Sequence, residues 1–130
     1  MKIIYSNKST EKLCEDFNKA CKVLNKEVAN KLSDLLNAIE AFPTLLDMLG
    51  LPQFRLHALK QDRKHQYSFV IHKGYKWRLI IYPLDEDGKV LLDNADERKM
   101  LSKAVMVEVL EVSEHYDWKK KSLSSSRCLC

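Results

Sequence analysis

The sequence predicts a single α+β domain: an N-terminal strand and a helical hairpin packed on a sheet. Three observations carry this. The first third repeats its apolar residues at helical spacing, whereas the middle and the end alternate them at strand spacing. The 130 residues, 45% of them hydrophobic, suffice for one core but not for two. Three Gly and three Pro leave few forced turns, which argues against a many-stranded barrel.

Taken in order, "KIIY" (2–5) reads as a short first strand. Ser9 and Glu11 then open a helix carrying Leu13, Phe17, Ala20, Cys21 and Leu24 on one side. A second helix aligns Val28, Leu32, Leu35, Leu36, Ile39 and Phe42, and Pro43 stops it. "PTLLDML" forms a further turn closed by Gly50 and Pro52. Two amphipathic helices joined by a few residues need a sheet to cover. "FRLHAL" (54–59) supplies a strand with Phe54, Leu56 and Ala58 on one face and Arg55 and His57 on the other. "YSFVIH" (67–72) follows, then a turn at Lys73-Gly74, then "KWRLIIYP" (76–83). Asp87-Gly88 marks another turn, residues 94–104 a short helix, and "VMVEVLEV" (105–112) a last strand. The domain is expected to span 1–118, with the Ser- and Lys-rich residues 119–130 a disordered tail.

The formal net charge is a mild +4, but it is unevenly spread. Between Phe54 and Arg78, seven cations (Arg55, Lys60, Arg63, Lys64, Lys73, Lys76 and Arg78) face a single acid, Asp62. From Leu84 to Asp117 ten acids face four cations. Basicity indicates a polyanionic partner through its distribution, and here it gathers on the expected sheet. No apolar run approaches a membrane span and "MKIIYSNKST" lacks a signal-like apolar region, so the expectation is a cytoplasmic protein with no membrane partner. Cys14 and Cys21, seven apart on one expected helix, read as small buried hydrophobes rather than a disulfide framework.

Internal attack of a ribose 2′-OH on its phosphodiester needs a base, cations for the charge growing on phosphorus, and an acid for the departing oxygen. His57 with Lys60, Arg78 on another strand, and His115-Tyr116 past the last strand are residue types suited to those tasks. No H-E-x-x-H, paired C-x-x-C or carboxylate cluster suggests a metal site, and no cofactor is expected. Plainer readings stand beside these. A strand histidine is more often structural than catalytic, Lys64 and Lys73 suit solvated turns, and Tyr67, Phe69 and Trp77 suit the core better than a base-stacking platform. His65 and His72 carry no functional reading.

"FRLHALKQDRKHQYSFVIHKGYKWRLIIYP" closely resembles the R-L-H-x-L-K-G-D-R-x-x-x-[WY]-S-…-W-R-[LI]-x-[FI] stretch of the HigB-type toxins in the RelE/ParE superfamily. "VEVLEVSEHYD" is similar to their closing strand and terminal His/Tyr segment. The similarity covers roughly residues 1 to 117. It implies a RelE-like fold, with the strand and helical hairpin packed on a mostly antiparallel, curved sheet, and a ribosome-dependent endoribonuclease that cuts messenger RNA without metal or cofactor. It also implies a cognate HigA-like helix-turn-helix antitoxin, with operator DNA met only through that antitoxin. By the same resemblance His57 and His115 are candidates for base and acid. Lys60, Arg63 and Arg78 would stabilise the phosphorane, and Tyr116 would stack on or orient a nucleotide. Arg55, Lys64, Lys73 and Lys76 would hold RNA backbone. The chain departs from the pattern at Gln61, where the family has Gly, and in "EHYD", where it often has D-Y-H. The span 83–104 is longer than a hairpin requires, and the tail after Trp118 is extra. A ParE-like gyrase poison of the same fold and a non-catalytic RNA-binding protein are the alternative readings. His57 with Lys60 and Arg78 favours the nuclease.

Overall fold

The computed structural model describes residues 1–72, 74, 76–92 and 96–114, apart from the side chain of Gln61. The expected α+β class and order of elements are present. Strand β1 (Lys2–Tyr5) leads into helices α1 (Lys8–Glu15), α2 (Phe17–Val23), α3 (Lys26–Ala41) and α4 (Leu45–Leu49). Then come β2 (His57–Ala58), β3 (Tyr67–His72), β4 (Trp77–Leu84), α5 (Glu97–Leu101) and β5 (Met106–Glu114). The strands form one sheet in the order β1-β5-β4-β3-β2, parallel between β1 and β5 and antiparallel elsewhere.

Local chemistry explains where the helices break. The expected first helix is two helices, because Asp16 takes an extended conformation between them. Its N–H closes α1 on the Lys12 carbonyl, and its side chain caps α2 by accepting from the Lys19 N–H at 3.2 Å. Asn7, rather than Ser9, caps α1 by accepting from Thr10 N–H at 2.8 Å. Cys14 and Cys21 therefore lie on different helices, each half-buried. Helix α3 starts at Asn25, whose side chain accepts from Val28 N–H at 2.9 Å, and ends at Phe42, just before the proline.

Two strand assignments need correction. Pro52–Phe54 is a 3₁₀ turn and Arg55 is left-handed (φ 47°), so the "FRLHAL" strand shrinks to His57 and Ala58. Proline at the start of the turn favours that conformation over extended chain. Lys76, expected in β4, is left-handed (φ 61°) and belongs to the turn before it.

The core lies between α3 and one face of the sheet. Val28, Leu32, Leu35 and Ile39 meet Tyr67, Phe69 and Ile71 of β3, Leu79 and Ile81 of β4, and Val107, Val109 and Val112 of β5. Phe54 packs edge-on against both Phe42 and Phe69, with ring centroids 6.1 and 6.5 Å apart. The buried Tyr67 hydroxyl donates to Glu97 at 2.7 Å and so ties α5 to the sheet. A bulge opposite Ile80–Ile81 leaves Leu110 unpaired. It puts Val109 and Val112 on the core side although they are three residues apart, and turns Glu111 to the other face. Among the described residues, no helix is long and apolar enough to cross a membrane.

Candidate functional site

The face of the sheet turned away from α3 carries the candidate site. Register places His57, Ser68, Ile80 and Glu111 in one row across β2, β3, β4 and β5. The next row holds Val70, Arg78 and Ser113. Because side chains alternate across a strand, both rows point the same way. His57 and Arg78 thus share one surface, roughly 12 Å apart across β3, at two strand spacings of about 4.8 Å and one row of about 6.8 Å along the strands. Between them lies an apolar floor of Val70 and Ile80, both buried.

His57 is exposed, with its ring held from one side. Its Nδ1 lies 2.8 Å from the carbonyl oxygen of Arg55. A carbonyl can only accept, so the hydrogen sits on Nδ1, and in the neutral ring Nε2 is left with the lone pair. Arg78 is half-buried and its Nη1 donates to the Trp77 carbonyl at 3.2 Å. Burial, and then the neighbouring Arg55 charge, lower its pKa from the usual arginine value. Among the described residues no carboxylate forms an ion pair with Arg78. With the Arg55 charge acting on it, Arg78 beside the apolar floor makes a local excess of positive potential.

Arg63 reaches the same face from the 3₁₀ turn Gln61–Arg63. Its Nη1 donates to Glu111 Oε2 at 3.1 Å and to Gln66 Oε1 at 3.2 Å, and Gln66 in turn donates to the Tyr82 hydroxyl at 3.4 Å. The ion pair is partly exposed and is worth about 1 kcal/mol or less, so its main effect is to fix where Arg63 points. Gln61 stands in a 3₁₀ turn, which needs no left-handed residue and hence no glycine. Lys60 is exposed at the entry to that turn.

Other residues singled out in the sequence are dispersed. Lys64 precedes β3 and Lys76 follows it, so these two exposed lysines sit at opposite ends of the β3–β4 hairpin. Lys73, His115 and Tyr116 lie outside the described residues. His72 pairs through Nε2 with the Glu27 carboxylate at 2.5 Å and so fastens the end of β3 to α3. Among the described residues, no group of three or more His, Cys, Asp or Glu converges as metal ligands would. Sequence reasoning missed Glu111, Gln66 and Tyr82. The signal for Glu111 was the broken alternation in "VEVLEV", where Leu110 and Glu111 upset the two-residue period.

No family model matches the chain, and no curated protein matches it. Among solved structures, a YoeB/ParE toxin from Agrobacterium tumefaciens superposes with a TM-score of 0.46 at 16% sequence identity, over 89% of this chain and 100% of that one.

Proposed function

We propose that this chain is the toxin of a type II toxin–antitoxin pair, of the HigB-like group, and an endoribonuclease that cuts messenger RNA on the ribosome. The observation that carries the reading is the tautomer and placement of His57. Exposed His57 presents Nε2 on the sheet face that also holds Arg78, and the charge of Arg55 in the adjoining turn acts on Arg78. In this reading Nε2 removes the proton of a ribose 2′-OH. The oxygen attacks the adjoining phosphorus, a 2′,3′-cyclic phosphate forms, and the bond to the 5′ oxygen breaks. Arg78, with Lys60 and Arg63, offsets the charge that grows on the phosphoryl oxygens. His115 is the candidate for the acid that protonates the leaving oxygen, and Tyr116 for a group that orients a nucleotide. Arg55, Lys64, Lys73 and Lys76 hold RNA backbone. The resemblance of the Leu56–Arg78 stretch to HigB-type toxins supports the same assignment. The partner is then a HigA-like helix-turn-helix antitoxin, and the site of action the cytoplasm.

Expression of the chain alone should arrest growth of a bacterial host and create new 5′ ends within translated messages, mapped by primer extension. His57→Ala or Arg78→Ala should abolish both effects. Intact transcripts with altered DNA supercoiling would replace this reading with gyrase inhibition.

A further inference from the structure

Beside His57 a groove of about 1220 Å³ opens between α3, the Pro52–Phe54 turn and the edge of the sheet. The groove exists because β2 is so short. It pairs with β3 only through His57 and Ala58, opposite Ser68 and Tyr67, so among the described residues β3 has no strand outside it from Phe69 to His72. Leu35 and Ala38 of α3, Phe54 and Val70 give the groove an apolar lining. Lys31, Arg55 and His57 also line it, with the exposed acid Asp34 three residues along α3 from Lys31. At this size it exceeds the about 300–1,000 Å³ of an ordinary small-molecule site, and it is open along its length, which suits a segment of chain.

Arg55 joins the groove to the cationic face. Arg55 is among the residues that line the groove, and its charge acts on Arg78. A ligand that satisfies both halves carries an anion next to a flat apolar body. A small inorganic anion would leave the groove unfilled, and base-paired RNA keeps its bases stacked inside the helix. We infer that this groove is a base-binding subsite, in which single-stranded RNA lays a phosphate on Arg55 and Arg78 and turns the adjoining base between α3 and the β3 edge. The inference rests on the reading of this face as one that handles RNA. It adds the element that fixes which nucleotide comes to His57. A stacked or enclosed base contributes about 1–3 kcal/mol, enough to set register along the strand.

The test is an NMR titration of the ¹⁵N-labelled full chain with a 2′-O-methyl RNA heptamer, which internal attack cannot cut, and with the same heptamer made abasic. The intact heptamer should shift the amides of Ala38, Gln53 and Gly74 together with that of Arg78. The abasic one should shift Arg78 alone and bind about tenfold more weakly. Ala38→Leu, which narrows the groove, should suppress the groove shifts and weaken binding about tenfold. The subsite is overturned if the groove amides stay still while Arg78 moves, or if the abasic heptamer moves them equally. The groove would then be left to a different ligand, such as a peptide. Cleavage of message by the wild-type chain in a translating extract separates the two readings. Cutting without groove shifts removes the subsite and keeps the nuclease, and groove shifts without cutting do the reverse.

Discussion

A single hydrogen bond orients His57, and the residue scale shows how much such local detail matters. Strand alternation in the sequence was enough to put His57 and Arg78 on a face opposite the core, because the two-residue period is a property of extended chain. The donation from Nδ1 to the Arg55 carbonyl was not legible, since it needs Arg55 in a left-handed conformation that composition does not specify. Nor was Glu111, whose face is set by a bulge. A buried pair away from the site yields a pH prediction. Burial pushes the Cys14 thiol up to about 12 from its ordinary 9.0, and burial also raises Tyr5, which hydrogen-bonds to it. The folded state therefore holds the thiol proton more tightly than the unfolded chain does. The stability this contributes is complete below pH 9 and is lost as pH rises from there to about 12. Urea midpoints measured from pH 8 to 11 should fall, and should fall less steeply in Cys14→Ala. Equal slopes in the two proteins would show that the thiol plays no part.

At the scale of elements, the long amphipathic helix and the β3–β4 hairpin were legible because each follows one period for many residues. The failures fall where a polar side chain or a proline overrides the period. Asp16 divides one expected helix into two, and Pro52 curls the entry to β2 into a 3₁₀ turn. The candidate site depends on both kinds of element, since β3 and β4 hold Arg78 in place while the irregular 54–66 stretch carries His57, Lys60 and Arg63. Caps are correspondingly important. Asn25 accepts from Val28 N–H and adopts a positive φ of 129°. Asn25→Ala removes the cap and strains the backbone, at a cost of about 1–2 kcal/mol. Thermal unfolding should show the midpoint falling by several degrees, whereas Asn25→Gly should lose clearly less. An unchanged midpoint for the alanine variant would mean that α3 does not need this start.

On the scale of the whole molecule, charge is divided between a basic stretch, 54–78, and an acidic one, 84–117, and folding sets them on neighbouring strands. The Arg63–Glu111 pair is where they meet. This division was readable as a list of charges, but the assembled patch required the strand order, which no local pattern contains. RNA affinity should fall with salt in proportion to the phosphates neutralised, at about −0.7 per phosphate for single strands. Arg55→Ala should therefore flatten the slope of log affinity against log salt by about 0.7, read by fluorescence anisotropy. A slope that does not change would place Arg55 away from phosphate.

The parallel pairing of β1 with β5 also has a kinetic meaning. Lys2 aligns with Met106, so the first strand waits for the last, and closing so large a loop is slow compared with forming helices. β5 is also the strand that brings Glu111 to Arg63. During synthesis the helices can form early, while the sheet lacks the strand that joins β1 to β4 until nearly the whole described chain has left the ribosome. The sheet face that carries His57 and Arg78 is thus completed only once nearly all of the described chain has been made.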